Sequence, residues 1–419
     1  MPRRNDGDVP PGWDVSALGL SRKGPLQGIR VLDLTQLVAG PFCTKVLAQF
    51  GASVIKIERP VAGDAARVLE PSVRDHGGAE GSLLFLDMNL NKSGMTLDLR
   101  TNEGKVVFGR LVEGADVVVE SGRPGRLAAL GFSYQRLQEL RPDIILVSIS
   151  NFGQSGPYRD LPASELVLYA MGHEMYGTGW VGEEPMAMAP RLNLCFAGQT
   201  AALATTAGVL GRTFHGSGDW IDVSIMETFM SSIDRRADSL VSYAYTGEKM
   251  QREAKAEEGL LPPYTLCKDG YVHMTVKSEV SWRRLQAAVD EPWIRQLRYP
   301  WGDPVLTREL LHKWWAWCAE RSRREVIATC QSCRVTCAPV NSIADLFDDP
   351  QLVSRRYFRH VTHPVVGEAT YSGLPFSLDG LFDDAWTPAP TLGQHTWGIL
   401  ADLGYTDAEI GALSTSEVI

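Results

Sequence analysis

Short apolar runs alternate with amphipathic stretches through the first 150 residues of the chain. Runs rich in Val and Ile favour buried strands, whereas apolar positions three to four residues apart favour helices. The predicted strands are IRVLDLT (29–35), SVIKIE (53–58), GMTLDLR (94–100), ADVVVES (115–121) and IILVSIS (144–150). The predicted helices among them are PFCTKVLAQFG (41–51), TNEGKVVFGRLVEG (101–114) and SYQRLQELRPD (133–143). This alternation predicts parallel βαβ units with helices on both faces of the sheet.

The pattern changes after the glycine-rich turn NFGQSGPYRDLP (151–162). A strand at 269–276 and a long helix at 310–330 indicate a smaller domain, and a hairpin with a glycine turn is predicted at 358–373. We therefore predict an α/β protein with a large Rossmann-like parallel-sheet domain, built from both chain ends, and a smaller α+β domain. The predicted boundaries are a loose N-terminal arm at 1–23, the large domain at 24–215, a linker and the small domain at 216–334, and a return to the large domain at 335–419.

Composition and charge exclude several classes of protein. The 419 residues are 44% hydrophobic and 22% charged, as in ordinary globular proteins. A net charge of −9 argues against non-specific binding of nucleic acid, which needs a basic face. No run approaches the roughly 18 consecutive apolar residues of a membrane span, and the basic N-terminus lacks the apolar stretch of a secretory signal. We therefore expect a cytoplasmic protein with no nucleic-acid or membrane partner.

The cysteines agree with a reducing compartment. The chain has seven of them, and an odd number in a chain of this size indicates reduced thiols. Only Cys330, Cys333 and Cys337 cluster, without the second close pair that a structural zinc site usually has. Buried thiols are the favoured interpretation, and no metal site is predicted.

Candidate anion-binding side chains follow or precede successive strands. In an open α/β sheet, ligands lie beyond the carboxyl ends of the strands. Arg59 and Arg67 follow the second strand, Lys92 precedes the third, and Arg123 and Arg126 follow the fourth. Of these, Arg59 and Arg123 lie where a phosphate could be held. Each one alone is interpreted as a solvated surface charge. Their recurrence in an acidic protein favours a phosphorylated small molecule as the ligand.

The same segments resemble the class III CoA-transferases, the family of the formyl-CoA, carnitine and bile-acid CoA-transferases that also includes α-methylacyl-CoA racemase. The resemblance covers nearly the whole chain from Pro25 onward. It is carried by GIRVLDLTQLVAGPF, LAQFGASVIKIERPVAGD, LNKSGMTLDLRTNEGK, ADVVVESGRPG, APVNSIADLFDDPQLVSRRYF and APTLGQHTWGILADLGYTDAEI. It implies acyl-CoA and a carboxylic acid as substrates, no permanently bound cofactor, and an interlocked homodimer, with a heteromer formed with a paralogue as the alternative.

The resemblance also implies which residues contact CoA. They are Val38, Ala39, Arg59, Asn89, Leu90, Asn91, Lys92, Ser121, Gly122, Arg123, Pro162, Ala163 and Ser164. The chain departs from the family at two places in this set. Ser121-Gly122 stands where the family usually has Asn-Phe, and Ala129 stands where it has a basic or polar residue. The expected CoA site is therefore recognisable but altered.

The catalytic carboxylate implied by the resemblance is missing. The family's transferases use an Asp four residues before the glycine of an A-G-x-x-A-A helix, which is Gly198 here, and Leu194 stands at the Asp position. Glu165 begins a helix after the glycine-rich turn and is the substitute candidate for the nucleophile, with helix capping or a hydrogen bond to CoA as the alternative. Cys195 is a second candidate, for which a buried, inert thiol is the favoured interpretation.

Three functions therefore remain open from the sequence. The first is transfer of CoA between carboxylic acids through an unusual carboxylate. The second is altered chemistry on an acyl-CoA, such as that of an isomerase, lyase or hydrolase. The third is a non-catalytic subunit that pairs with an active paralogue.

Overall fold

The computed structural model describes residues 23–73, 78–230, 235–249, 252, 264–276, 278–289, 291–296, 304–378 and 386–419. Residues 1–22 of the predicted arm lie outside this range. The described residues group into two units. The larger unit takes in the residues up to Gly179, Glu183–Arg252 and Phe358–Ile419, and the smaller takes in Trp180–Gly182 and Glu253–Tyr357.

The strands of the described residues form three sheets. They are β1 (Arg30–Asp33), β2 (Ser53–Glu58), β3 (Ser93–Thr96), β4 (Val117–Ser121), β5 (Ile145–Ser150), β6 (Trp220–Ser224), β7 (Tyr264–Cys267), β8 (Gly270–Thr275), β9 (Thr336–Pro339), β10 (Phe358–His363) and β11 (Gly367–Ser372). The first six pair in parallel, in the order β3-β2-β1-β4-β5-β6. The predicted α/β class with a Rossmann-like sheet is confirmed, and the predicted hairpin is present as β10 paired with β11.

The helices connect and cover these sheets. They are α1 (Ala39–Gln49), α2 (Leu83–Met88), α3 (Asn102–Glu113), α4 (Arg126–Ala129), α5 (Tyr134–Leu140), α6 (Glu165–Met171), α7 (Glu174–Gly177), α8 (Leu192–His215), α9 (Ile225–Met230), α10 (Arg235–Thr246), α11 (Glu279–Ala288), α12 (Pro292–Gln296), α13 (Pro304–Ala319), α14 (Arg323–Ser332), α15 (Ile343–Phe347), α16 (Pro350–Ser354), α17 (Thr396–Asp402) and α18 (Asp407–Thr415).

Two hydrophobic layers sandwich the large sheet. Successive side chains of a strand point to opposite faces, so that Val31 enters one layer and its neighbour Leu32 the other. Helices α1 and α8 contribute to the layer of Val31, whereas α3, α5, α17 and α18 contribute to that of Leu32. Helix α8 is long and apolar enough to cross a membrane by length and composition alone, a property that core helices share.

The smaller unit has its own core around the antiparallel sheet β7-β8-β9. The single long helix predicted at 310–330 is wrong, because α13 ends at Ala319 and α14 begins at Arg323. Ser322 starts the second helix with a capping box, in which its hydroxyl accepts from the Glu325 N–H and the Glu325 carboxylate accepts from the Ser322 N–H.

The boundaries between the units differ from the predicted ones. Strand β6 lies beyond the predicted boundary at 216 and yet pairs with β5 of the large sheet. Strand β9 lies beyond the predicted return at 335 and yet pairs with β8 of the small sheet. The partners of both strands are set by long-range pairing that local composition does not reveal.

Replacing a core valine tests the packing of the large sheet. Val118 is fully buried in β4, and Val118→Ala should lower the free energy of unfolding by about 2 kcal/mol, because two buried carbons are lost and a cavity remains. Urea-induced unfolding measures this change. Val106→Ala removes the same atoms from a side chain that is 57% exposed and should change stability by less than about 0.5 kcal/mol. Equal effects of the two changes would contradict the assignment of the core.

Candidate functional site

Two cavities lie where the connections of the large sheet change direction. In the observed strand order, the connections after β1 and β4 run to opposite sides, and ligands of such sheets bind at the carboxyl ends of these strands. The larger cavity has a volume of about 570 Å³ and the smaller about 280 Å³. Both are lined by residues of the segments that follow β1 and β4.

The structure brings most of the predicted CoA contacts to this edge of the sheet. Those that line the larger cavity are Val38, Ala39, Ser121, Gly122, Arg123, Pro162 and Ala163. Ser121 also lines the smaller cavity, together with Arg59. Residues that follow four different strands therefore converge on one region, as expected for an open parallel sheet.

The predicted contacts at Asn89–Lys92 line neither cavity. All four residues are buried. The Lys92 ammonium donates to Asp33 Oδ2 at 3.0 Å and to Asn89 Oδ1 at 2.8 Å. Asn91 has a φ of 68° and exchanges hydrogen bonds with the backbone of Thr387. In this structure these side chains support the framework of the unit.

Two other candidates also have structural contacts. Arg67 is buried and forms a two-pronged ion pair with Glu58, with nitrogen–oxygen distances of 2.7 and 2.8 Å. Ser164 is the N-cap of α6, where its hydroxyl accepts from the Val167 N–H. Neither residue lines the cavities.

Glu165 connects two helices. From the start of α6 its carboxylate reaches the N-cap residue of α8, where Oε2 accepts from the Arg191 N–H at 2.8 Å. The other oxygen, Oε1, is buried and has no hydrogen-bond partner among the described residues. A buried acceptor without a partner costs about 1–3 kcal/mol. Glu165 itself is not among the residues that line the larger cavity, although Ala163 and Leu194 are.

The N-terminus of α8 presents a leucine to the larger cavity. Leu194, at the position of the family's Asp, is one of the lining residues. Its neighbour Asn193 is fully buried, and neither polar atom of its side chain has a partner in the described structure. The carboxylate that lines this cavity is instead Asp160, which sequence reasoning did not single out. Its side chain is 78% exposed and lies 3.7 Å from the Arg159 guanidinium.

Cys195 is a poor nucleophile in this setting. Burial raises the pKa of its thiol, and the negative charge of Asp87 raises it further. The thiolate is the reactive form of cysteine. A thiol that stays protonated at neutral pH agrees with the interpretation of Cys195 as an inert, partly buried side chain.

A buried cluster of charges supports the segment after β1. Asp33 accepts hydrogen bonds from Lys92 and from the hydroxyls of Thr35 and Thr44. Burial opposes its ionisation, but the charges of Lys56 and Lys92 outweigh burial and hold the pKa of the Asp33 carboxyl well below its usual range. Lys56 also pairs with Asp64 at 2.7 Å. Burial, aided by the charge of Lys56, lowers the pKa of Lys92 to about 8 in spite of its contact with Asp33.

Side chains from neighbouring segments hold the backbone that faces the cavities. The Gln36 N–H donates to Ser121 Oγ at 3.1 Å, and the Leu37 N–H donates to Asp64 Oδ1 at 3.0 Å. Leu37 has a φ of 67°, which is rare for a non-glycine residue and requires such support. Gln36, Asp64 and Arg159 were not predicted. Their only sequence signal was proximity to strand ends that already carried candidates.

No group of three or more His, Cys, Asp or Glu side chains that suits a metal ion occurs in the parts of the chain that the structure describes. The clustered cysteines Cys330, Cys333 and Cys337 are free thiols there.

Comparisons with known proteins agree along nearly the whole chain. The sequence model of CoA-transferase family III matches residues 26–396. Formyl-CoA:oxalate CoA-transferase from Shigella sonnei is 30% identical over 94% of this chain and 99% of that protein. A CaiB/BaiF family protein from Brucella suis has a TM-score of 0.77 at 26% identity, covering 91% of this chain and 100% of its own. Rv3272 from Mycobacterium tuberculosis has a TM-score of 0.72 at 25% identity, covering 90% and 99%.

The lowered pKa of Lys92 predicts a rise of stability at alkaline pH. Between the folded value of about 8 and the ordinary value of 10.5, the unfolded chain binds a proton at Lys92 that the folded chain has released. Stability therefore increases with pH in this window. The quantity to compare is the difference in free energy of unfolding between the native chain and Lys92→Met. This difference should rise by up to about 3 kcal/mol between pH 8 and pH 10.5. Urea unfolding of both proteins from pH 7 to 10.5 measures this, and a flat difference would refute it.

Proposed function

Because the chain belongs to CoA-transferase family III, as the sequence predicts, we propose that it transfers CoA from an acyl-CoA to a carboxylic acid with Glu165 as the nucleophile. Formyl-CoA and oxalate are the substrates in the name of the Shigella sonnei relative. The same two classes of molecule are proposed here. Exchange between a thioester and carboxylates needs no resident cofactor.

This proposal rests on the different surroundings of the two carboxylate oxygens of Glu165. Oε2 is anchored by the Arg191 N–H, whereas Oε1 is buried without a partner. The anchoring hydrogen bond holds the carboxylate at the N-terminus of the 24-residue helix α8, where the helix dipole attracts negative charge. A carboxylate oxygen that forms no hydrogen bond is free to attack a carbonyl carbon.

The proposed reaction exchanges acyl bonds without a redox step. Glu165 Oε1 attacks the thioester carbonyl, the carbon–sulfur bond breaks, and a mixed anhydride and CoA thiolate result. The thiolate then attacks the Glu165 carbonyl, which releases the donor's acid and leaves CoA as a thioester on the enzyme. Attack by the acceptor's carboxylate on that thioester, followed by return of the thiolate to the acceptor's acyl group, yields the new acyl-CoA and restores Glu165.

The surroundings of the cavities support an anionic ligand. Arg59 lines the smaller cavity and Arg123 the larger, both are exposed, and neither forms an ion pair or hydrogen bond through its side chain within the described structure. Guanidinium groups suit phosphate because they donate in a fixed fork. We assign the phosphate groups of CoA to this region.

The proposal includes a cytoplasmic homodimer. Free cysteines agree with a reducing compartment. The side chains of Leu203, Leu210 and Phe214 along α8 are 72%, 55% and 71% exposed in the single chain, and contact with a second copy would remove this apolar stripe from water.

One observation favours a second candidate function. Leu194 lines the cavity where the family's transferases carry their Asp. A chain that lost this carboxylate without replacing it would be an acyl-CoA isomerase, lyase or hydrolase, or a non-catalytic subunit of an active paralogue. Co-purification with a paralogue that has Asp at this position would favour the subunit.

Replacement of Arg59 tests the CoA site. Arg59→Ala should weaken CoA binding by about 1.5–3 kcal/mol, since a charge-assisted contact to phosphate is lost. Titration calorimetry measures the affinity. Arg136→Ala is the matched control, because Arg136 is exposed, pairs with Glu139 at 2.7 Å and lines neither cavity. If both variants bind CoA as tightly as the native protein, Arg59 is not part of the CoA site. If the native protein binds no CoA at millimolar concentration, the proposed function is refuted.

Chemical trapping tests the nucleophile. Incubation with acyl-CoA should form a thioester at Glu165 that hydroxylamine converts to a hydroxamate, which peptide mass spectrometry locates. Glu165→Gln can still accept from the Arg191 N–H but lacks the anion, so transfer should fall by orders of magnitude while CoA affinity changes little.

Asp160→Asn is the matched control for this experiment, because Asp160 is the carboxylate that lines the larger cavity. It should retain transfer activity and the label at Glu165. A label on Asp160, or full activity of Glu165→Gln, would show that Glu165 is structural.

A further inference from the structure

Arg126 occupies a distinctive place between the two cavities. Gln36, Ser121 and Arg126 line both of them, and Arg126 is the cation in this shared set. The cavities otherwise have different arginines, with Arg59 in the smaller and Arg123 in the larger. A ligand that extends through both cavities therefore passes Arg126.

The guanidinium of Arg126 forms no ion pair or hydrogen bond in the part of the chain that the structure describes. By contrast, Arg100 of the smaller cavity is held by Asp98 at 2.7 Å. The charge of Arg126 acts on the Glu120 carboxylate, but Glu120 Oε1 accepts its hydrogen bond from the Ser148 hydroxyl at 2.9 Å. Burial raises the pKa of the Glu120 carboxyl, and Arg126 only opposes this rise. The charge of Arg126 is thus left available to a ligand.

Gly122 makes room for this arrangement. A Cβ built on Gly122 would lie 3.7 Å from Arg126 Nη1 and 3.9 Å from its Cδ, so the arginine side chain lies alongside the glycine. Gly122 also has a φ of 132°, which other residues adopt only with strain. A large side chain at position 122 would occupy the space that Arg126 uses. Ala129, one turn beyond Arg126, is uncharged and cannot substitute for the guanidinium of Arg126.

We propose that Arg126, in the space left by Gly122, binds the diphosphate of CoA at the junction of the two cavities and sets the preference for CoA over shorter pantetheine thiols. This inference rests on the proposed function. The thioester has to reach Glu165, whose neighbours Ala163 and Leu194 line the larger cavity. The diphosphate lies between the pantetheine arm and the adenosine of CoA. An acyl-pantetheine arm in the larger cavity therefore brings the diphosphate to the shared residues and the adenosine to the smaller cavity.

Titration calorimetry with CoA, dephospho-CoA and pantetheine tests the assignment. Dephospho-CoA keeps the diphosphate and lacks the 3′-phosphate, and pantetheine lacks both. Arg126→Ala should weaken binding of CoA and of dephospho-CoA by about 10- to 100-fold and leave pantetheine binding unchanged. Arg126→Lys should give an intermediate loss, because an ammonium lacks the fork of donors. Arg136→Ala is again the control for charge, and thermal unfolding of each variant verifies the fold.

A double-mutant cycle tests the dependence on Gly122. Gly122→Leu should weaken CoA binding in the native background, since the new side chain displaces Arg126, and should have little further effect when Arg126 is already alanine. Independent, additive losses would overturn the coupling between these residues.

The possible failures are distinguishable. If dephospho-CoA binds equally to the native protein and to Arg126→Ala while CoA does not, Arg126 contacts the 3′-phosphate and the assignment to the diphosphate is wrong. If CoA binds the native protein and Arg126→Ala equally, this inference fails and the proposed function stands. If the native protein binds no CoA, both fail.

Discussion

The carboxylate of Asp33 is the interaction on which the segments around the cavities depend. It lies at the end of β1 and contacts Lys92 before β3 and Thr44 in α1. Its charge also compensates Lys56 in β2, which in turn holds Asp64. Burial of one ammonium costs several kcal/mol unless an opposite charge accompanies it. Asp33 compensates two of them, so the end of β1, the interior of β2, the segment before β3 and the middle of α1 share one electrostatic centre.

This centre determines where the backbone can face a ligand. Asp64, held by Lys56, accepts from the N–H of Leu37, and Ser121 at the end of β4 accepts from that of Gln36. The segment after β1 therefore takes a conformation with a positive φ at Leu37, which its own sequence does not favour. A site held in this way is organised before the ligand arrives, which reduces the entropy that binding has to overcome.

Dependence on contacts that are distant in the chain explains which parts of the molecule the sequence could predict and which it could not. The parallel sheet was predictable because its strands and helices are encoded in local periodicity. The roles of individual cations were not predictable, since Arg59, Arg67 and Lys92 all lie beside strands and look equivalent in sequence. Arg67 and Lys92 are buried with carboxylate partners, whereas Arg59 is exposed beside a cavity. Partners distant in the chain decide this difference, as they decide that β9 pairs with β8.

Solvation, rather than position in the sequence, is the reason for proposing Glu165 as the reactive carboxylate. Asp160 and Glu165 are both near the larger cavity, but their surroundings are opposite. The Asp160 side chain is 78% exposed, and its hydration shell has to be removed before it can attack a carbonyl. Water at that place would also hydrolyse a mixed anhydride. Glu165 Oε1 is already shielded from water and lacks a partner, while Oε2 remains bound to the Arg191 N–H. The apolar Leu194 beside the cavity adds no second negative charge to this region. A leucine at the expected position of the nucleophile is thus compatible with catalysis, provided that the carboxylate anchored at the start of α8 takes over its role.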